Sequence, residues 1–401
     1  MKRMIGLGCL AYFMVGLATV AFGALLPELL HSYGKNYADG GRLVFAQFAG
    51  FLCGVLLAPG WSVRLGYRRT IWLGMLALVL VHGVLPLQQH WFFVLGLAAV
   101  NGLGFGMTQT AIGTLLLEST ERPAVTMSRL EVAFGLGALF MPLASGYLIA
   151  RYPFASAFAV VALFAVINLL LWSSPFVAPR RQAAEASLND TVMQEESSAI
   201  SENRRPRFSK LAFFIAFVFL YVGLEISFAN FLPSIFAERF QLSSSRATLS
   251  VTLFWVAMVI GRLFSGYMAE RINYFSFLFC SAAGAALSLA WVAVTKDAIA
   301  AYALVFLIGL FLSGIFAMIL VYANRVFPGY AKQTTSLLIA SGGIGGALLP
   351  LLIGWSLEQR QGTGTLWILA GSALLLLACL IRIRVVERAR AASRQERLTL
   401  S

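Results

Sequence analysis

Charge is what this 401-residue chain has least of: Asp, Glu, Lys and Arg make up 12% of it, and only 17 of those residues are acidic against 30 basic. A soluble domain carries roughly a quarter charged residues, so this complement is too sparse to solvate an ordinary globular surface. Cysteine is nearly lacking as well. The four, Cys9, Cys53, Cys280 and Cys379, each sit inside an apolar run and form no CxxC or Cys/His spacing. A disulfide framework is thereby excluded and no metal site is indicated. Paired intramembrane His/Asp ligands, a nucleophile elbow and a filter-like loop are all missing, which argues against an enzyme or a channel. No cofactor is called for.

What fills the chain is apolar: 59% of residues are hydrophobic and the mean hydropathy is +0.82. About 20 apolar residues cross the hydrocarbon core as a helix, and twelve such spans are predicted at 4–31, 41–59, 70–88, 91–117, 127–149, 155–173, 209–234, 247–268, 274–295, 298–323, 333–356 and 364–382. The first is kept as a mature helix, because no small-residue cleavage pattern follows it. The net charge of +13 is not spread evenly: with the N-terminus inside, alternate loops place 23 of the 30 Lys and Arg on one side and 7 on the other. This is the positive-inside pattern of a multi-pass protein of the cytoplasmic (inner) membrane with both termini cytoplasmic. The lipid bilayer, not nucleic acid, is the partner that the positive charge implies.

Residues 175–208 interrupt the spans with prolines, serines, acids and clustered arginines, and read as a flexible cytoplasmic linker. It separates an N-terminal six-helix bundle, 1–174, from a C-terminal one, 209–384, followed by a tail, 385–401. The two bundles read as repeats. Gly135, Gly137, Pro142 and Gly146 in the fifth span recur with the same spacing as Gly343, Gly345, Pro350 and Gly354 in the eleventh, 208 residues later. Parallel repetition of this kind marks the two-half architecture of the major facilitator superfamily. The loops after spans two and eight resemble that superfamily's G-x-x-x-D-R-x-G-R-R signature. Arg64, Gly66, Arg68 and Arg69 form a degraded first copy, with Val63 at the acid's position; Gly261 and Arg262, then Gly266, Glu270 and Arg271, form the second. With Arg129 and Glu131 at the inner end of helix five, these charged residues are expected to gate. The expected fold is all-α: twelve transmembrane helices in two pseudo-symmetric six-helix bundles.

An ionisable group in the bilayer is expensive unless it faces a cavity or a partner, so intramembrane acids are the first functional candidates. Glu225, in helix seven, is the one acid well inside a span, and a buried carboxylate there could carry a proton. Glu28 and the lone His82 have duller explanations as interfacial and packing residues. Amides and aromatic faces would hold a neutral substrate; Gln47, Gln109, Asn230 and Asn324 are the amides, and Trp255 is placed to stack on a sugar ring.

Around these positions the chain resembles a particular branch. Phe219-Leu-Tyr-Val-Gly-Leu-Glu225-Ile-Ser-Phe-Ala-Asn230-Phe-Leu-Pro-Ser-Ile235 is similar to helix seven of the glucose/mannose-transporting members of the fucose:proton symporter family. Gln47-Phe-Ala-Gly-Phe-Leu, the stretch from Met127 to Leu139, Phe254-Trp255 and Thr335 to Ala340 extend the likeness through both halves. The resemblance implies a monomeric secondary transporter that moves a neutral hexose with a proton by alternating access through a central cavity. One departure stands out: family members carry a glutamate where Gln109 stands, and an amide cannot titrate. Coupling then falls to Glu225, or the protein is a facilitator, or it moves another solute in another direction. The rival reading is a proton-coupled exporter of drugs or metabolites; the Gly-Pro pair expected in helix five of antiporters is absent, since Phe140-Met141 precedes Pro142.

Overall fold

A computed structural model describes residues 2–120, 123–154, 156–173, 208–327 and 331–399 of the chain. Among them, 12 helices are long and apolar enough to cross a membrane: Arg3–Ala24, Tyr37–Leu65, Tyr67–Leu87, Trp91–Leu116, Arg129–Ile149, Ser156–Ser173, Leu211–Phe240, Ser244–Ser265, Tyr274–Val294, Ala298–Val326, Thr334–Gln359 and Gly362–Val386. These are spans 1 to 12 below. Residues 175–207 of the expected linker lie outside the described residues.

Some spans depart from a plain helix. Span 1 was expected to run unbroken to residue 31, but its helix ends at Ala24 and a short helix, Leu26–Ser32, follows. Pro27 has no N–H to bond the carbonyl four residues back, so the helix cannot pass through this point undisturbed. Helical hydrogen bonding continues through Ala331–Thr399, yet the hydroxyls of Ser356 and Thr365 meet at 3.2 Å. Nine residues of straight helix would separate them by about 13 Å. The chain therefore doubles back near Gln359–Gly362, and spans 11 and 12 are an antiparallel pair.

By its contacts the chain divides into two compact units, Met1–Phe22 with Ala46–Pro206, and Gly23–Phe45 with Arg207–Ser401. Residues Gly23–Phe45, which sequence order assigns to the first bundle, thus pack with the second unit. In the first unit span 3 lies against spans 4 and 6, and span 5 against spans 4 and 6. In the second, span 7 packs on the helix carrying spans 11 and 12, and span 10 on spans 8 and 9.

Both units repeat the same close approach. A Cβ on Gly137 of span 5 would lie 2.8 Å from the carbonyl carbon and 3.1 Å from the Cα of Phe13; one on Gly345 of span 11 would lie 2.8 Å and 3.0 Å from the same atoms of Phe219. Only a residue without a side chain lets these backbones touch. One matched pair of the sequence repeat, Gly137 and Gly345, therefore marks the contact of spans 1 and 5 in one unit and of spans 7 and 11 in the other.

The turns repeat as well. A single residue, Gly66, joins spans 2 and 3 at φ 84, ψ 150, and a single residue, Asn273, joins the helix carrying span 8, Ser244–Ile272, to span 9 at φ 88, ψ 150. Asn273 stands where the loop signature has its glycine, and its side chain accepts the Ser276 N–H at 2.9 Å.

Candidate functional site

Span 7 is apolar apart from a few positions, and of its two acids, Glu225 and Glu238, the one in mid-span is buried. Glu225 is 8% exposed and is the single Asp, Glu, Lys or Arg among the described buried residues. Its partner is Arg262, whose Nη2 donates to Oε1 across 3.4 Å. Arg262, grouped by sequence with the gating loop, lies within span 8, three residues before its end, and faces span 7. Charge-assisted N–H···O bonds ordinarily close to about 2.7–2.9 Å, so this is a loose pair. Its guanidinium is not sealed off either, with 26% of the Arg262 side chain exposed against 11% for Glu225.

Aromatic groups surround the pair. The guanidinium carbon of Arg262 lies 6.0 Å from the Trp255 ring centroid, at the outer limit of a cation–π contact. Trp255, about two helical turns before Arg262 on span 8, is 3% exposed and meets Phe254 edge-on at 5.7 Å. Tyr221, one turn before Glu225, reaches the carboxylate, while its hydroxyl donates to the Leu312 carbonyl of span 10 at 2.9 Å. Spans 7, 8 and 10 thus meet at one charged cluster. Tyr221 was not singled out in advance; its spacing of four from Glu225 is the signal that could have found it.

Of the other candidates in the second unit, Asn230 is 4% exposed and spends its amide N–H on the Ile226 carbonyl at 2.8 Å. Its Oδ1 is buried without a partner. Asn324 belongs elsewhere: it sits near the end of span 10, where its Oδ1 accepts from the Thr335 hydroxyl at 3.1 Å. The Glu225 cluster is in the middle of span 7, so Asn324 joins two helix ends and is not part of it. Arg271 is exposed, and the Glu270 side chain lies outside the described residues.

The first unit answers with amides and an imidazole. Gln47 is fully buried; its N–H bonds the Thr19 carbonyl at 2.8 Å, leaving Oε1 without a partner. The neighbouring carbonyl, Ala18, accepts from Asn101 Nδ2 at 3.1 Å, and Asn101 Oδ1 lies 3.0 Å from His82 Nε2. Because the amide nitrogen is committed to Ala18, the oxygen must accept and His82 carries its proton on Nε2. The ring is stacked on Phe158 at 5.9 Å. Asn101 was missed by the sequence reading, although an amide in a membrane span is itself the relevant signal.

Gln109 is partly buried, and its backbone carbonyl accepts from the Tyr12 hydroxyl at 3.0 Å. Thr19 and Tyr12 are seven residues apart on span 1, about 10 Å of helix, so Gln47 and Gln109 are held at different depths. Glu131 is partly buried and lies within electrostatic range of Tyr12. Arg68 ties helix ends together: Nε donates to the Trp172 carbonyl at 3.0 Å and Nη2 to that of Ser173, which caps span 6. Arg64, Arg69 and Arg129 are exposed.

Twelve apolar spans with a charged group buried in mid-membrane define a multi-pass membrane transporter. The chain belongs to the Major Facilitator Superfamily, whose pattern matches residues 8–233 and again 211–400. It is 32% identical over 375 residues to the glucose/mannose transporter of Bacillus subtilis, covering 93% of this chain and 92% of that one. The cis,cis-muconate transport protein of Acinetobacter baylyi is 23% identical over 400 residues, 94% of each chain. Among solved structures, a D-xylose-proton symporter superposes with a TM-score of 0.74 at 15% identity, over 94% of this chain and 96% of that one. A nucleoside transporter superposes with a TM-score of 0.73 at 14% identity, covering 94% and 99%.

Proposed function

We propose that this transporter carries a monosaccharide inward together with a proton, and that Glu225 is the group that takes and gives up that proton. The observation that carries the reading is the loose Glu225–Arg262 pair, 3.4 Å long with a quarter of the arginine side chain exposed. A tight, fully enclosed ion pair would hold the carboxylate ionised, and an unpaired buried one would hold it neutral. A strained pair in between leaves both forms accessible, so that substrate or a change of state can tip it. The sugar comes from the relative in Bacillus subtilis, a glucose/mannose transporter that matches along 93% of this chain.

In this reading Asn230 Oδ1 and Gln47 Oε1, each buried without a partner, are the acceptors for sugar hydroxyls, Gln109 adds a further amide, and Trp255 offers its face. Asn324 drops out of this set as a helix-end tie. Arg64, Arg69, Arg129 and Arg271 with Glu131 and Glu270 act as latches at the arginine-rich end, and Arg68 steadies span 6. The protein works as a monomer in the cytoplasmic membrane with both termini inside. Its two repeats, 1–174 and 209–384, are joined by a cytoplasmic linker, 175–208, and followed by the tail, 385–401.

The test is uptake into proteoliposomes of a panel of hexoses and cationic drugs, with and without an imposed pH gradient. Concentrative uptake of a hexose under an inward proton gradient is expected. Accumulation of no sugar under either condition overturns the reading, and extrusion of the drugs would establish the exporter instead.

A further inference from the structure

We propose that Tyr221 is a positioning residue that carries the protonation state of Glu225 to a break in span 10. That span consists of two helices, Ala298–Leu312 and Ile315–Val326, which meet at Ser313 and Gly314 without a proline. The last carbonyls of a helix have no partner within it, and two of them here are met by side chains. Leu310 accepts from the Ser313 hydroxyl at 2.7 Å, and Leu312 from the Tyr221 hydroxyl of span 7 at 2.9 Å. The Tyr221 ring stacks on Phe316 of the second helix, with centroids 6.4 Å apart, so this one side chain bridges the break. Span 8 presses on the same point: a Cβ on Gly261 would lie 2.7 Å from the Ser313 Cβ. The next residue is Arg262, the ionic partner of Glu225. Both side chains that act on Glu225 are therefore joined to the break.

A phenol has one proton to give and can also accept. Tyr221 has two claimants for that proton, the Leu312 carbonyl and the Glu225 carboxyl that it also reaches. Ionised Glu225 only accepts, and a charge-assisted bond is about twice as strong as a neutral one, so it draws the hydroxyl proton away from Leu312. Protonated Glu225 becomes a donor. It gives its own O–H to the Tyr221 oxygen and leaves the phenol proton with Leu312, in a chain where each bond strengthens the next. The incoming proton stays on the carboxyl; the tyrosine turns its hydroxyl and never ionises. The break is thus held while Glu225 is protonated and loosened while it is ionised.

Arg262 and Tyr221 are the charged or titratable groups that act on Glu225. Span 10, the helix carrying spans 11 and 12, and the short helix Leu26–Ser32 complete the packing of span 7 and add no further one among the described residues. A change in the charge of Glu225 is therefore felt first by the two side chains that lead to span 10. The switch rests on the proton reading of Glu225 and not on the identity of the solute, so one measurement needs no substrate.

The full-length protein in nanodiscs is labelled by hydrogen exchange across a pH series. Protection of the amides around Ser313 and Gly314 is read after correction for the intrinsic pH dependence of exchange. In the wild type it should fall about two- to tenfold as rising pH ionises Glu225, the worth of one net hydrogen bond. Glu225→Gln, whose amide donates as the protonated acid does, should hold the protected level at every pH; Tyr221→Phe should hold the lower level. Tyr302→Phe removes another hydroxyl that donates to a backbone carbonyl, that of Arg246 at 2.7 Å, and should keep the wild-type response. In proteoliposomes Tyr221→Phe should exchange labelled sugar without accumulating it under a proton gradient. A wild type with no pH response, or a Tyr221→Phe variant that keeps the response or the accumulation, overturns the proposal. Accumulation lost in Glu225→Gln but kept in Tyr221→Phe removes this switch alone, whereas accumulation kept in Glu225→Gln removes the proton reading beneath it. If Tyr221→Phe does not fold, the other two proteins still decide: the proposal falls unless the wild type responds to pH and Glu225→Gln does not.

Discussion

The two units bury different chemistry in the same architecture. In the first, Gln47, Asn101 and His82 are tied in series to two successive carbonyls of span 1, Thr19 and Ala18. In the second, a carboxylate and a guanidinium face each other across 3.4 Å between spans 7 and 8. Amides locked to backbone carbonyls fix the spacing of helices and present leftover acceptors; they have one state. The charged pair has two, since it can be held ionised or relaxed by a proton. On the proposed function, proton coupling lies in the second unit alone, while both units contribute groups to the substrate.

The largest expected effect comes from removing the switchable group. Glu225→Gln should drop the ratio of internal to external sugar under a proton gradient to about 1, the value of an uncoupled carrier whose driving ligand no longer distinguishes its states. Exchange of labelled for unlabelled sugar should survive. His82→Asn in the first unit should leave gradient-driven uptake proton-dependent; if it abolishes coupling instead, the division between the units is wrong. Next in size is Arg262→Leu, which strands the Glu225 carboxylate. Removing one partner of a buried pair costs about 3–5 kcal/mol, and the low end applies because 26% of the arginine side chain is exposed. Thermal unfolding in detergent should show most of that loss recovered in Arg262→Leu/Glu225→Gln. A double variant no more stable than the single one would mean that the pair is not the reason for the loss.

Much of the fold can be read along the chain, because bilayer thickness prescribes span length, and the apolar character of a span is an additive property of local sequence. Glu225 was legible for a similar reason: an acid in an apolar helix is conspicuous alone. Its partner was not. Arg262 sits near a basic loop and looks like part of it, and only the turn of span 8 reveals that it points at span 7. Asn324 is ambiguous for the opposite reason, since an amide near a span end looks the same from sequence whether it faces substrate or ties Thr335. Asn101 and Tyr221 depend on which helices adjoin, which periodicity alone does not specify. The break at Leu25 was missed because a continuous apolar run hides a proline's missing donor.

Where the two units agree, the effects should match. Gly137→Leu and Gly345→Leu each force a side chain into the backbone of the adjoining helix, at Phe13 and Phe219. Overpacking of this kind costs about 1–3 kcal/mol, and the two variants should lose comparable stability in detergent. A large loss at one and none at the other would show that the sequence repeat does not mark equivalent contacts.

The smallest effect is the most discriminating, because the units differ there by a single residue in one conformation. Gly66 and Asn273 share ψ 150 with φ of 84 and 88, a region that glycine enters freely and other residues enter at about 1–3 kcal/mol. Asn273 offsets part of this by capping span 9 through Ser276, and exchange of an asparagine cap for glycine forfeits only a few tenths of a kcal/mol. Asn273→Gly should therefore stabilise the protein by about 1 kcal/mol, and Gly66→Asn should destabilise it by a similar amount, giving opposite shifts in Tm at equivalent turns. If Asn273→Gly instead lowers Tm, the asparagine side chain contributes more to the turn than its backbone strain takes away, and the two turns are alike in shape but not in what holds them.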